Sequence, residues 1–229
     1  MVPSPLSVGG YCMPSNFKRG NKDSKDFRRR GSIREPYDYV LIVCEGSKTE
    51  PRYFDELCRY LRIHNANVII AKNDEGTNPL SVVACALKEY KDALEYDHVF
   101  CVFDRDKHPD FAAAIEKITA TRLRGKASIH AITSIPCFEY WILLHFDYTT
   151  RQFTAAEGSN CNEVIGILKQ YVPDYKKKMS VFEIVKSKTA TAIENAKKVE
   201  RFHETSGTDN PSTKVYELVE YLQNIKSVK

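Results

Sequence analysis

Acidic side chains follow directly on two apolar runs, in positions where carboxylates could hold a divalent cation. Glu45 comes after the run VLIVC at 40–44, and Asp104 and Asp106 come after the run HVFCVF at 98–103. Residues two apart in an extended segment project to the same side, so we expect the two aspartates to converge on one cation. Carboxylate oxygens suit Mg²⁺ or Mn²⁺, which retain water and bridge to phosphate. These three residues therefore predict a Mg²⁺ or Mn²⁺ site.

The two aspartates also have a purely structural explanation. Asp104 and Asp106 precede Pro109, and such residues commonly form turns or cap helices. Taken alone, a D-x-D motif favours that explanation. Glu45 and Gly46 change the balance. The chain has Glu-Gly after its first strand, then a second strand and helix, and then a third strand that ends in D-x-D. This arrangement is much more restrictive than any of its parts. Together these features favour the metal site.

Apolar runs alternate with helix-like stretches along the chain, an order typical of a parallel sheet with crossover helices. The pattern predicts strands at 39–44, 67–71, 98–103 and 127–132. It predicts helices at 52–61, 80–94, 110–123, 137–146, 162–171, 190–203 and 211–225. The predicted fold class is α/β, with a mostly parallel sheet flanked by helices. We expect three segments: a disordered basic arm at 1–36, the α/β core at 37–147, and a helical C-terminal extension at 148–229 that packs on the core.

The expected position of Glu45 follows from this fold class. A charge inside a strand that is covered on both faces is costly, so Glu45 must lie at the exit of its strand. In open α/β sheets, ligands bind at the carboxyl ends of the strands. The carboxylate is therefore expected at the edge where such proteins carry their chemistry.

Several stretches of the sequence resemble a known family. Glu45-Gly46 and Asp104-Arg105-Asp106 match the two signatures of the Toprim domain, which occurs in topoisomerases, primases and OLD-type nucleases. The chain more closely resembles the RloB family, prokaryotic Toprim-like proteins linked to restriction and abortive-infection loci, often beside an ABC-type ATPase. The resemblance spans 40–222 and is carried by the motifs CEGSKTEPRYF, VFDRDKH, SIPCFEYWILLHF and NPSTKVYELVEYL.

The resemblance implies a metal-dependent nuclease that acts as the effector of an anti-phage system. It implies that Glu45 binds metal or handles a proton and that Asp104 and Asp106 hold Mg²⁺. Glu50 and Glu139 are further candidate metal ligands, because Glu50 lies five residues after Glu45 and Glu139 follows the fourth strand. Glu50 is explained as well by the preference for acidic residues in the first turn of a helix.

Other functions stay open at this point. A non-catalytic Toprim-like module would bind nucleic acid or dock on the ATPase. A receiver-type phosphotransfer domain also carries acidic residues at strand exits. That alternative is weakened because here a glutamate follows the first strand and the D-x-D motif comes only after the third. No Walker A motif is present, so any use of ATP belongs to another chain. DNA, RNA and tRNA all remain open as substrates. Assembly into a homo-oligomer also remains open.

A nuclease also needs basic and polar side chains that hold a polyanion. Eight basic and three acidic residues occur at 1–36, which is typical either of an arm that binds phosphates or of a solubilising tail. A lysine run such as the one at 176–178 is often only a solvated surface. The predicted nucleic-acid contacts are Lys48, Arg52, Lys176, Lys177, Arg28, Arg29 and Arg30, with Thr77 and Asn78 as further donors and His108 and His145 as candidates for proton transfer.

Composition and cysteine usage set broader limits. The net charge of +4 over 229 residues favours a polyanionic partner only weakly. No apolar stretch approaches the roughly 20 residues of a membrane span, and the first residues lack the apolar core of a signal peptide, so we expect a cytoplasmic location and no membrane partner. The seven cysteines are scattered without a C-x-x-C pair. This pattern favours reduced core thiols over a zinc site or disulfides.

Overall fold

Four parallel strands and one short antiparallel strand form a single sheet. The strands are β1 (Val40–Cys44), β2 (Val68–Lys72), β3 (His98–Asp104), β4 (Ser128–Ile135) and β5 (Ser212–Thr213). Their order across the sheet is β2-β1-β3-β4-β5, and only the β4–β5 pair is antiparallel. The predicted α/β class with a mostly parallel sheet is therefore confirmed. In this computed structural model, the described residues are 37–63, 67–73, 76, 78–93, 96–106, 108–155 and 158–225.

Helices flank the sheet and follow the predicted order. They are α1 (Thr49–Tyr60), α2 (Pro79–Ala93), α3 (Phe111–Ala120), α4 (Glu139–Leu143), α5 (Asn160–Tyr171), α6 (Phe182–Val185), α7 (Thr189–Ser206) and α8 (Val215–Asn224). The first three connect successive parallel strands, as crossover helices must. The C-terminal helices α7 and α8 contact one another, and α8 also contacts β4. The predicted arm, including Arg28, Arg29 and Arg30, lies outside the described residues, as does Thr77.

Both faces of the sheet are covered by apolar side chains, which explains why β1 carries five buried residues in succession. Ile42 and Phe100 belong to the larger cluster, which also contains side chains of α1, α4, α7 and α8. Leu41 and Cys101 belong to the smaller cluster, which contains side chains of α2 and α3. The alternation of side chains along each strand sends neighbouring residues to opposite faces. Polar residues are thereby displaced to the ends of the strands.

The structure shortens three of the predicted helices, and the one predicted at 110–123 is observed as α3. The helix predicted at 137–146 is observed only as α4, and the helix predicted at 211–225 is preceded by β5. Ser212 and Thr213 pair instead with Ile135 and Ser134, which also extends β4 beyond its predicted end. A two-residue strand carries no periodicity of its own, so sequence patterning could not identify it.

The expectation of reduced thiols is wrong for two of the cysteines. Cys137 and Cys161 form a disulfide bond, which joins the segment just before α4 to the first turn of α5. Cys44, Cys58, Cys85 and Cys101 are buried and are not joined in disulfides, as expected of core thiols. Residues 24 apart in sequence meet here because α4 and α5 pack together, a contact that cysteine spacing does not reveal.

Within the part of the chain that the structure describes, none of the helices combines the length and apolar character needed to cross a membrane.

Candidate metal centre

Glu45 joins the carboxyl ends of β1 and β3. The chain leaves β1 at Cys44, and the backbone N–H of Glu45 still donates to the carbonyl of Val102 at 2.9 Å. The side chain then turns towards β3, where Oε2 accepts a hydrogen bond of 3.0 Å from the backbone N–H of Asp104. The carboxylate therefore lies at the carboxyl end of its strand, as predicted from the sequence.

The second carboxylate oxygen of Glu45 faces a histidine. Oε1 lies 3.1 Å from Nε2 of His108, and the side chain of Glu45 is only 12% exposed. Burial raises the pKa of Glu45, while the hydrogen bond from Asp104 and the proximity of His108 act in the opposite direction. His108, identified from the sequence only as a candidate for proton transfer, is thus in direct contact with this carboxylate.

Glu50, Asp104 and Glu139 line one cleft beside Glu45. The cleft has a volume of about 200 Å³, and its lining includes residues from the β1 exit, the start of α1, the end of β3 and the start of α4. Gly46 makes room for the carboxylate of Glu50, because a Cβ at position 46 would lie 2.7 Å from Cδ of Glu50. The glycine of the Glu-Gly pair therefore allows the close approach of a second carboxylate.

The carboxylates of the cleft repel one another. Burial raises the pKa of Asp104 well above its usual value, and the charges of Glu50, Glu139 and Glu45 add to this effect, which the backbone N–H of Phe138 opposes. Burial also raises the pKa of Glu50 to about 7, with Glu139 and Glu45 contributing repulsion. A divalent cation among these oxygens would relieve the repulsion, and an all-carboxylate donor set suits Mg²⁺ or Mn²⁺. The residues present thus fit the metal that the sequence predicts.

Glu139 is the most enclosed of these acids and is held by neighbours from the C-terminal half. Its side chain is 3% exposed, and Oε1 accepts a hydrogen bond of 3.1 Å from the hydroxyl of Tyr175. Nζ of Lys177 lies 3.9 Å from the same oxygen. Sequence reasoning placed Tyr175 only in the candidate turn at 175–178 and did not relate it to Glu139, because no local pattern connects residues 36 positions apart.

Asp106 has a different environment from Asp104. β3 ends at Asp104, and Asp106 has a φ of 30°, so the alternation of an extended strand does not continue to it. Oδ2 of Asp106 accepts a hydrogen bond of 3.1 Å from the hydroxyl of Ser159, at the N-terminus of α5. Oδ1 is buried and has no hydrogen-bond partner among the described residues. Asp106 lies near enough to Glu45 to raise its pKa, but it is not part of the cleft lining.

Lysines form the rim of the cleft. Lys48, Lys177 and Lys178 all contribute to its lining, which Lys176 does not. The guanidinium of Arg52 donates to the backbone carbonyl of Lys178. The hydroxyl of Thr49 donates in the same way to the carbonyl of Lys177, so the start of α1 holds the lysine turn in place. Lys178 also lowers the pKa of Lys48, which indicates a concentration of positive charge at this rim.

Two other candidates from the sequence, His145 and Asn78, make contacts that stabilise the fold. Nδ1 of His145 lies 3.0 Å from the backbone carbonyl of Trp141 within the aromatic core, and burial lowers its pKa to about 4. The side chain of Asn78 accepts a hydrogen bond from the backbone N–H of Ser81 in the first turn of α2. Neither residue lines the carboxylate cleft.

A second group of potential metal ligands adjoins the cleft. Cys137, Glu139 and Cys161 each offer a ligand atom within 4.8 Å of the others, and they form the one such group of three among the described residues. Oε2 of Glu139 lies 3.1 Å from Sγ of Cys161. Because the two sulfurs are joined in a disulfide, neither is a thiolate, and only a thiolate binds metal strongly. In this oxidised form, Glu139 is the ligand that remains.

Comparison with known proteins identifies one family. A family model described as "RloB-like protein" matches residues 40–222. No curated protein and no solved structure matches the chain.

Proposed function

Because the chain belongs to the RloB-like family, we propose that it is a divalent-metal-dependent nuclease that hydrolyses phosphodiesters of DNA or RNA. We further propose that it acts as the effector of an anti-phage system, restrained until an ABC-type ATPase partner senses infection. The family match supports the assignment, and the resemblance of the motifs to Toprim nucleases suggests the reaction.

The observation that carries the proposal is the position of Asp104. Its carboxylate shares a cleft with Glu50 and Glu139, and its backbone N–H holds Glu45. Four carboxylates at the carboxyl ends of parallel strands form an environment that favours a hard divalent cation. A rim of lysines beside such a centre suits a phosphodiester, which carries negative charge towards the metal.

The proposed roles follow from these contacts. Asp104, Glu50 and Glu139 would hold the cation. Glu45 would either hold it as well or, paired with His108, accept a proton from water. The cation, when bound, supplies a water of lowered pKa and neutralises charge on the phosphodiester. Lys48 and the lysine turn orient the nucleic acid, and Arg52 is a positioning residue because its guanidinium is already bound to that turn.

Cleavage and Mn²⁺ binding by the full chain test the proposal together. We expect Asp104→Asn and Glu45→Gln to lower cleavage by ~10²-fold or more, because each removes a negative charge that would hold the cation, and the cation balances the developing phosphate charge. Asp104→Asn should also weaken Mn²⁺ binding measured by calorimetry. Glu116→Gln, which removes an exposed carboxylate from α3, is the matched control and should leave both measurements unchanged.

The assay includes DNA, tRNA and both metals, with any ATPase encoded beside the gene added to the mixture. Wild-type cleavage by both Asp104→Asn and Glu45→Gln would place the chemistry elsewhere. Mn²⁺ binding that is equal in wild type and Asp104→Asn would rule out the carboxylate cleft as the metal centre.

A non-catalytic binding module is the second candidate, and the contacts of two carboxylates favour it. Glu45 already accepts from Asp104 and faces His108, and Glu139 already accepts from Tyr175. Carboxylates satisfied by the protein can serve a structural role without metal. Nucleic-acid or ATPase binding by the wild type, without cleavage under any of the conditions above, would support this alternative.

A further inference from the structure

A polar cluster lies at the opposite end of the sheet from the carboxylate cleft. His98 is the first residue of β3 and Ser128 is the first residue of β4, and the two are directly paired in the sheet. His130, two residues further along β4, projects to the same face. Asp104 ends the seven-residue strand that His98 begins, so the two sites are about 20 Å apart at a rise of about 3.3 Å per residue.

Three potential ligand atoms of this cluster lie within hydrogen-bond distance of one another. Nδ1 of His98 and Nε2 of His130 are 3.4 Å apart. The hydroxyl oxygen of Ser128 lies 2.9 Å from the first nitrogen and 2.7 Å from the second. Two imidazole nitrogens bound to one Zn²⁺ at about 2.0–2.1 Å each would lie about 3.3 Å apart in a tetrahedral site. The observed separation is close to that of two ligands of one ion, and a bound ion would replace the hydrogen bond that the two rings share.

The surroundings of His98 resemble the support that a metal-bound histidine receives. Its other ring nitrogen, Nε2, lies 3.6 Å from Oδ2 of Asp38, and the hydroxyl of Tyr221 donates to the same oxygen at 2.9 Å. Histidines that bind metal commonly direct their second nitrogen to a carboxylate, which orients the ring and makes it a stronger ligand. Asp38 and Tyr221 thereby orient Nδ1 towards His130.

The second imidazole is accessible from an open cleft. His130 and Ser128 line an open cleft of about 550 Å³ that also contains Glu217. Burial and the neighbouring His98 lower the pKa of His130, while Glu217 acts in the opposite direction. The neutral form of an imidazole is the one that binds metal.

We propose that His98 and His130 form a second metal site, which binds a divalent first-row transition ion such as Zn²⁺ through Nδ1 of His98 and Nε2 of His130. Imidazole ligands favour Zn²⁺, Ni²⁺ and Cu²⁺ over Mg²⁺, so this site differs in selectivity from the carboxylate cleft. Ser128 is an auxiliary ligand, and the cleft beside Glu217 leaves coordination positions for water or a further ligand. The site does not depend on the proposed nuclease activity.

Zn²⁺ titration of the full chain tests the site. The chain carries no polyhistidine tag, excess Mg²⁺ occupies the carboxylate cleft, and reductant is omitted so that Cys137 and Cys161 stay joined. We expect His130→Asn to weaken Zn²⁺ binding by more than ~10-fold and Asp38→Asn by ~10-fold, since loss of a supporting carboxylate has effects of that size. Ser128→Ala should weaken binding less than His130→Asn does, because both imidazoles remain. Mg²⁺ binding should be unchanged in all three variants.

His203→Asn is the matched control, because this histidine lies on α7 outside the cluster and should not affect Zn²⁺ binding. In case a variant fails to fold, ¹⁵N NMR of the wild type gives a second measurement. Zn²⁺ should shift the ¹⁵N resonances of Nδ1 of His98 and Nε2 of His130. Absence of these shifts would overturn the proposal. So would Zn²⁺ binding by a folded His98→Asn/His130→Asn variant that equals the wild type.

Discussion

The backbone N–H of Asp104 donates a 3.0 Å hydrogen bond to Oε2 of Glu45, which joins the ends of two neighbouring parallel strands. The acid that follows β1 is therefore held by the backbone of the acid that ends β3. Through this contact, the shape of the candidate metal centre depends on the pairing of the two strands.

Replacement of Glu45 should separate its structural role from its charge. Glu45→Gln keeps an oxygen that can accept from Asp104, so we expect little change in the free energy of unfolding. Glu45→Ala leaves the N–H of Asp104 without this partner and should cost about 1–3 kcal/mol. Urea denaturation of metal-free protein measures both values. Equal stability of the two variants would show that the hydrogen bond contributes nothing to the fold.

The metal-free protein should lose stability as the pH rises through the range in which Glu50 titrates. The pKa of Glu50 is raised from about 4.5 to about 7, so the folded state binds this proton more tightly than the unfolded state. The contribution is fully present below pH 4.5 and lost as the pH rises through about 7, and it amounts to about 3 kcal/mol.

Thermal melts of wild type and Glu50→Gln in a chelator, from pH 5 to pH 8, test this expectation. The wild type should lose stability relative to the variant over that range, and Mg²⁺ should restore it at pH 8 in the wild type alone. Parallel pH profiles for the two proteins would contradict the assignment to Glu50.

Positive charge at the rim should set the salt dependence of nucleic-acid binding. Each phosphate contact contributes a slope of about 0.7–0.9 to the plot of log affinity against log salt, because counterions are released. Lys48→Gln and Lys178→Gln should each weaken binding and reduce that slope. Lys169→Gln, on the exposed surface of α5, is the control. Fluorescence anisotropy over a range of salt concentrations provides the measurement, and slopes that match the control would exclude the rim from the interface.

Reduction of the disulfide should destabilise the protein. The bond closes a loop between residues 24 apart, for which chain entropy predicts about 3 kcal/mol. Reductant should therefore lower the urea midpoint of the wild type, with no such effect on Cys137→Ser/Cys161→Ser. Thiol titration under denaturing conditions counts the free cysteines in each case. A wild-type midpoint that reductant leaves unchanged would be the contrary result.

The sequence by itself determined the α/β class and the strand-end positions of Glu45 and Asp104. Buried parallel strands appear as continuous apolar runs, and a charge is tolerated only where such a run ends. These features are local, and local patterns suffice to predict them.

Only the tertiary structure decided which side chains meet. Tyr175 and Lys177 contact Glu139, Ser159 binds Asp106, and His98 faces His130, over separations that range from 32 to 53 residues. The disulfide likewise depends on the packing of α4 against α5. Such contacts follow from strand order and helix packing, which minimise exposed apolar area over the whole chain. No short stretch of sequence contains that information, because the energy that selects these partners is spread over the entire core.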